Sequence, residues 1–493
     1  MFSMHLPALI IIIPLIAAPL CVLLRRKDWA FTLATLATWA TFVCACLTLF
    51  RVSVEGEISY QMGGWAPPYG IELRIDALSA YVLFIVSGIG SIVAPYSRNS
   101  LLLEYVEDRA YMFYAAYLLC LCGLLGVTAT GDAFNLFVFL EISSLSSYVL
   151  IALGFDRRAL TASYQYLIMG TIGATFIVIA VGLLYQATGS LNMADIAKRL
   201  PLAGYDNTTV IAAFAFLIIG AALKIALFPL HQWLPNAYTY APSTVSAFLA
   251  ATATKVSIYI LIRFLFTVFG IEFSFEILPT ALLLMILAVL AMFVPSIVAC
   301  FQQDVKRVLA YSSVAQVGYM VLGLSFVTAT GLTASILHLF NHALMKGALF
   351  MVLGAIVYRI GSCRLEDLRG IAKKMPWTMA AFVGGALSLI GVPLTAGFIS
   401  KWYLILAALE KGWWYFAVLI VISSLIAVIY VWRVIETAYF GAVSDDKSDV
   451  TEAPVSLLIP AWFLVIANVY FGIDTSLSLG IAELAANALM GAK

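Results

Sequence analysis

The chain has 493 residues, 63% of them hydrophobic and 11% charged, with a net charge of +1 and a mean hydropathy of +1.03. So few charges, less than half the roughly 25% of soluble domains, could not cover a soluble surface, and the near-zero net charge removes any electrostatic case for nucleic acid. The seven cysteines lie mostly in apolar runs and read as small core residues, not as disulfides or metal ligands.

The first apolar run carries no clear cleavage signal and reads as a retained helix. A helix needs about 20 apolar residues to cross the hydrocarbon core, and that criterion predicts an all-α polytopic membrane protein of about 14 transmembrane helices. In chain order they fall at 6–24, 29–50, 75–96, 109–130, 132–154, 162–186, 208–240, 243–268, 277–300, 305–327, 331–358, 377–409, 413–440 and 453–473. The seventh and twelfth are too long for plain helices, and both contain prolines and a lysine. The seventh reads AALKIALFPLHQWLP, with Lys224 ahead of Pro229, His231 and Pro235. The twelfth reads LIGVPLTAGFISKW, with Gly391, Pro393 and Gly397 ahead of Lys401. Each is predicted to be two half-helices joined by an unwound stretch, with simple proline kinks as the plainer alternative.

An external N-terminus places sixteen basic residues, from Arg25 to Lys447 with Arg109 among them, at inner loops and helix ends. Six (Arg51, Arg74, Lys198, Arg199, Lys411 and Lys493) fall outside, and Arg263 can snorkel outward. The positive-inside rule therefore predicts a multi-pass protein of the cell (inner) membrane with its N-terminus outside. Spans four to eight and nine to thirteen form two blocks of five. Five is odd, so the second copy enters the membrane inverted, and the broken helix is fourth in each block. Interrupted helices at matching positions point to a transport site. The predicted organisation is helices 1–3 over 1–108, a first repeat over 109–268, a second over 269–440, and a C-terminal helix and tail over 441–493.

Four lysines and a glutamate remain inside the membrane, where each charge costs about 2.5–3.5 kcal/mol on insertion scales. Glu141 lies in span five, Lys224 and Lys401 at the two breaks, and Lys255 in span eight. In span eleven, SILHLFNHALMKGALF spaces His338, His342 and Lys346 at i, i+4 and i+8, one stripe on one face. The plainer readings are a structural Glu141–lysine pair, hydrogen-bonded core histidines, and a packing Lys346 that reaches the inner surface. A histidine metal pair lacks a third ligand and any HExxH sequence. Asp76 and Arg74 are expected to pair locally or to meet another subunit, and Arg433 with Glu436 to form an i, i+3 surface pair.

A proton crossing about 30 Å of hydrocarbon needs groups that take and release it, joined by water. A lysine desolvated in a bundle gives up its proton more readily, and a nearby carboxylate makes it hold on. Glu141 and Lys224 suit such a switch. Lys255 would pass the proton on, the histidine stripe would bridge the two blocks, and Lys401 would be the exit gate.

GDAFNLFVFLE, the LK-to-FPLHQWLP break, the lysine of span eight, HLFNHALMKGALF and the GVPLTAGFISKW break occur in that order. Together they resemble the antiporter-like subunits shared by Mrp-type cation/proton antiporters and respiratory complex I, most closely the D-type member of the Mrp set. The resemblance covers roughly spans three to thirteen. It implies the fourteen-helix fold with inverted five-helix repeats. It also implies that Glu141 and Lys224 are the family's ion pair, and that Lys255, His338 and Lys401 continue the pathway, with His342 and Lys346 in the same motif. The stretch after span fourteen lacks the long lateral helix of the largest complex I antiporter-like subunit and the extra C-terminal domain of the large Mrp subunit, which argues against both.

The expected function is proton translocation within a multisubunit monovalent cation (Na+)/H+ antiporter. That makes the chain a secondary-transporter subunit rather than an enzyme, with other membrane subunits, protons, sodium and the lipid bilayer as partners. The alternative is a proton-pumping subunit of a redox-driven complex, a membrane-bound hydrogenase or complex I relative, which would make it part of a translocase. No cluster-ligand or nucleotide motif is present, so no cofactor is expected. A structural subunit or a free-standing carrier is a third, weaker reading, and the intramembrane charges disfavour a purely structural role.

Overall fold

A computed structural model describes residues 2–104, 110–442 and 449–491. Arg109, Lys447 and Lys493, which enter the orientation argument, lie outside the described residues, as do the proposed boundary at 108 and part of the C-terminal tail. The chain is a helical membrane bundle. The first three spans are α1 (Leu6–Leu24), α2 (Lys27–Glu55) and α3 (Ala77–Glu104). A hairpin of β1 (Ile58–Gln61) and β2 (Glu72–Ile75) joins the last two, pairing antiparallel with Ile58 opposite Ile75. The first repeat holds α4 (Ala110–Ala129), α5 (Ala133–Ala152), α6 (Arg158–Thr188), a broken span α8 (Thr208–Ile225) with α9 (Trp233–Tyr240), and α10 (Ser243–Ile262), which continues in wider turns to Val268. The second holds α11 (Thr280–Phe301), α12 (Val305–Ser325), α13 (Ala329–Ile360), a broken span α14 (Pro376–Ile390) with α15 (Ala396–Glu410), and α16 (Trp414–Phe440). The fourteenth span is α17 (Val455–Ile473).

Thirteen described helices are long and apolar enough to cross a membrane. The twelfth span falls short of that length only because its break leaves two halves of 15 residues each. Two helices lie outside the predicted set. α7 (Met193–Ala203) turns Met193, Ile196 and Leu200 inward and is too short and too charged to register as a span. α18 (Ser476–Leu489) packs on α13 and α3. The most buried spans are α10 and α12, and α13 joins them at the centre. Polar groups placed there are out of reach of both lipid and bulk water.

The two repeats share a register that side-chain identity conceals. Met193 N–H donates to the Gly131 carbonyl (2.9 Å), and Leu365 N–H to that of Gln303 (2.8 Å). Ala133 N–H donates to Leu191 O (2.8 Å), and Val305 N–H to Cys363 O (2.9 Å). The Ser163 hydroxyl donates to Tyr148 O (2.7 Å), and that of Ser335 to Met320 O (2.8 Å). Asp132 caps α5 through Asn135 N–H, and Asp304 caps α12 through Arg307 N–H. In every pair the second copy lies 172 positions after the first (131 to 303, 191 to 363, 148 to 320). Backbone bonds and helix caps carry the repeat, while the side chains between them have diverged.

Arg74, Asp76 and Arg433 find partners that sequence spacing does not indicate. Arg74 pairs with Glu57, and Asp76 receives a two-pronged contact from Arg263 (2.7 and 2.8 Å). Arg263 therefore turns inward, not out to solvent, because a guanidinium fork matches a carboxylate that also holds Ser79 N–H. Ser79 and Tyr259 add hydroxyls to the guanidinium, and Tyr259 donates on to Thr128 O (2.9 Å), which ties α3, α4 and α10 together. Burial alone would raise the Asp76 carboxyl, but the Arg263 charge and these bonds hold it at about 2. Arg433, 170 positions after Arg263, donates to the carbonyls of Cys300 and Gln302 and to Gln303, in place of the expected pair with Glu436. It satisfies the last carbonyls of α11, which have no intrahelical partner.

Candidate functional site

The first break begins where Ala226 takes a left-handed conformation (φ 60°) and stops α8. Pro229 lies in the unwound stretch. Pro235 lies in the first turn of α9, where a missing N–H costs no bond. The Trp233 indole is a second donor to the Leu223 carbonyl (3.0 Å), which also accepts from Ala226 N–H (3.2 Å), and it stacks on Tyr166 at 4.0 Å. Lys224 occupies the last turn of α8, where the carbonyl end of the helix favours a cation. It is buried, and its ammonium donates to Ser144 (2.7 Å) and stands 3.9 Å from Glu141 Oε1. That oxygen is buried with no hydrogen-bond donor, although the Glu141 side chain is a quarter exposed. That oxygen is thus engaged through the charge of Lys224 and not through a hydrogen bond.

The second break starts at Gly391, with φ 90°, and contains Pro393. A Cβ on Gly391 would come within 2.9 Å of the Lys401 side chain, and one on Gly397 within 1.9 Å of the Ser388 carbonyl. Only glycines let the half-helices fold back so closely. Lys401 is buried on α15 and reaches back across the break. It donates to the carbonyls of Leu389 (3.1 Å) and Ile390 (2.8 Å) and to Ser424 (3.0 Å), and sits 4.7 Å over the Tyr319 ring. The two lysines start from opposite sides of their breaks. Both ammonium groups nonetheless end at the C-terminus of the first half-helix. The difference is the counter-charge: the position 172 after Glu141 is Ser313.

Between the breaks lie the central groups. Lys255 on α10 is fully buried and donates to the Ala250 carbonyl and to Thr254 (3.3 Å). On α13, His338 is held between Gln316 Oε1 (2.8 Å from Nε2) and Ser400 (2.7 Å from Nδ1). With the amide oxygen accepting, Nε2 carries the proton and Nδ1 takes the serine hydroxyl. His342 lies parallel to His338 at 6.0 Å, and both of its ring nitrogens are buried without a hydrogen-bond partner. It is within electrostatic reach of Lys255 and Lys346. Lys346 donates to the Leu309 carbonyl (2.7 Å) and to Ser312 (2.5 Å), fully buried and away from the inner surface.

Glu141 and Lys224 therefore form one pair. Lys255, His342, Lys346 and His338 form a central group, which Ser400 and Tyr319 connect to Lys401. Among the described residues no direct hydrogen bond links Lys224 to Lys255. A proton passing between them needs water or a side-chain swing. The neutral partners Ser144, Thr254, Ser312, Gln316, Ser400 and Ser424 do not stand out in the sequence. Hydroxyls and amides in a span carry too small an insertion cost to flag themselves, and only their neighbours reveal them.

The family described as "NADH:quinone oxidoreductase/Mrp antiporter, TM" matches residues 130–427. The N subunit of NADH-quinone oxidoreductase from Desulforudis audaxviator is 45% identical over 95% of this chain and 96% of its own. The D subunit of the Na(+)/H(+) antiporter from Alkalihalophilus pseudofirmus is 32% identical over 85% and 83%, and that of Bacillus subtilis 30% over 97% and 96%. Among solved structures, a chain of the Mrp complex from Dietzia sp. superposes with a TM-score of 0.90 at 26% identity, covering 100% of this chain and 99% of that one. A chain of the archaeal membrane-bound sulfane sulfur reductase gives 0.90 at 30% identity over 99% and 98%. A chain of Thermus thermophilus complex I shares the fold at 0.76, with 24% identity over 96% and 98%. The sequence motifs point to the antiporter D subunits, yet identity to the oxidoreductase N subunit exceeds that to either of them.

Proposed function

The chain belongs to the NADH:quinone oxidoreductase/Mrp antiporter transmembrane family, and from that premise we propose that it is a proton-translocating subunit of a multisubunit complex in the inner membrane. The observation that carries the reading is Lys224: a buried ammonium at a helix break, 3.9 Å from a carboxylate oxygen that has no hydrogen-bond donor. Glu141 approaching or leaving decides whether Lys224 holds its proton. Lys255 takes the proton, His342 and His338 bridge the repeats with Lys346 setting the local field, and Lys401 releases it. The unpartnered nitrogens of His342 support this order, since a buried imidazole with both positions open can accept on one side and donate on the other. The division into helices 1–3, two repeats over 109–268 and 269–440 and a C-terminal segment, and the external N-terminus, belong to the same proposal.

Two energy sources fit this site. Identity of 45% to an oxidoreductase N subunit over nearly the whole chain favours coupling to electron transfer in other subunits. The antiporter relatives and the Mrp overlay support sodium/proton exchange, in which proton-motive force drives sodium out. A pull-down of the tagged protein in mild detergent decides between them. Hydrophilic redox proteins in stoichiometric amount, with proton flux on addition of an electron donor, establish the first. Small membrane subunits alone, with sodium-dependent proton flux in vesicles, establish the second. Co-purified partners with no proton flux under either drive contradict proton translocation itself.

A further inference from the structure

The repeat register exposes a binding cleft that the fold builds twice and the sequence charges once. On the outer face, by the orientation above, a cleft of about 600 Å³ is lined by Asp132, Phe134, Tyr185, Gly189, Ser190 and Leu191. Adding 172 to each number gives Asp304, Lys306, Val357, Gly361, Ser362 and Cys363, and all six line a cleft of about 750 Å³ on the inner face. The two are pseudo-symmetric copies. Four positions gain a base in the second copy: Phe134, Asn135, Ala187 and Asn192 in the first repeat stand where Lys306, Arg307, Arg359 and Arg364 stand in the second. The outer cleft does contain Arg199, but Asp195 pairs with it at 2.9 Å.

We propose that the inner cleft and its adjoining lobe, lined by Lys306, Arg307, Arg364 and an Arg359 anchored on the Glu452 carbonyl, bind the phosphodiester headgroup of an anionic phospholipid. The fold does not require these bases, because the outer copy forms without them. Lys306 is only 7% exposed although it lines the cleft, so its charge is built into the wall. Arg307 lines the adjoining lobe. Its buried Nε has no hydrogen-bond partner, and its guanidinium lies 5.9 Å over the Tyr311 ring. Arg364 stands 3.6 Å from Glu366, a loose and exposed pair that leaves its fork available. The acidic lining groups offset the bases only in part: Asp156 is taken by Arg158, and Asp304, which caps α12, lies within electrostatic reach of Lys306 and Arg307, which leaves five bases against three carboxylates in the two lobes. Two exposed phenylalanines, Phe155 at 91% and Phe301 at 75%, stand at the rim, where acyl chains would lie against them. Basic pockets between helices near the membrane surface bind anionic headgroups, and an arginine fork matches a phosphate. A free phosphate shares the charge chemistry but gains nothing from the phenylalanines.

The test is native mass spectrometry of the purified complex after titration with dioleoyl phosphatidylglycerol or phosphatidylcholine. The variant is Arg307→Asn/Arg364→Asn, which copies the residues of the outer cleft. The wild type is expected to retain at least one phosphatidylglycerol, preferred at least five-fold over phosphatidylcholine, and the variant to lose that preference. Equal retention of the two lipids by the wild type, or an unchanged preference in the variant, overturns the proposal. Displacement of the lipid by millimolar inorganic phosphate moves the site to a soluble ligand and overturns the lipid assignment. Should the double variant fail to assemble, Arg364→Asn alone, on an exposed side chain, must still lower the preference.

Discussion

Neutralising the Asp76–Arg263 ion pair is predicted to cost stability in a way the structure sizes. Asp76→Asn leaves the Arg263 guanidinium with one amide oxygen and the hydroxyls of Ser79, Tyr259 and Thr267, and no counter-charge. Breaking a buried pair costs about 3–5 kcal/mol, chiefly through the charge left behind. Here the carboxylate side chain is 26% exposed and the guanidinium 10%, so solvent screening brings the cost to the bottom of that range or just below it, about 2–3 kcal/mol. The carboxyl gives a second route to the magnitude. Its drop from 3.8 to about 2 corresponds to about 2 kcal/mol at about 1.4 kcal/mol per unit. The folded value lies below the unfolded one, so this stability is fully present above pH 4 and is lost as pH falls through about 2. Thermal unfolding of the purified complex in mild detergent measures it. Asp76→Asn and Arg263→Gln should each melt several degrees lower at pH 7, and the double variant should be less damaged than the sum of the two. The gap between wild type and Asp76→Asn should narrow towards pH 2. Strictly additive losses, or a gap that does not change with pH, would refute the pairing energy.

Gly391→Ala should cost about 1–2 kcal/mol for the left-handed backbone and push Lys401 off its carbonyls, since the new Cβ lies 2.9 Å from that side chain. Assembly should survive while proton flux falls several-fold, and wild-type flux would contradict the role given to the break. Trp233→Phe should keep the stack on Tyr166 and lose the bond to Leu223, about 1 kcal/mol. Amide exchange should then quicken at the end of α8 and not in α9, and unchanged exchange would remove the indole from the account of the first break.

Fourteen spans and both breaks were legible because hydrocarbon demands long apolar runs and penalises what interrupts them. Lysine, proline and glycine inside such runs therefore stand out. The charge-bearing residues were legible for the same reason, and Glu141 and Lys224 do meet. What was not legible depends on three-dimensional closeness. Asp76 and Arg263 are 187 positions apart, so neither sequence spacing nor composition pairs them, and the nearer Arg74 was the natural but mistaken partner. Lys346 sits in the middle of α13, and the length of its side chain alone left open whether it reached the surface. Only the packing of α12 on α13 shows it turned to Leu309 and Ser312. The internal repeat was expected from helix count, but its register lives in backbone bonds such as Met193 to Gly131 and Leu365 to Gln303, which any side chains can accompany. α7 and α18 escaped notice because neither is long enough to span.

The central claim is that protons cross through the buried lysines, beginning with Lys224. Its most direct test is proton translocation by the assembled complex in vesicles, with Lys224→Ala beside the wild type, under whichever drive the co-purified subunits supply. The account predicts an assembled complex with its full set of partners and no proton translocation. An assembled Lys224→Ala complex that moves protons at the wild-type rate would contradict it.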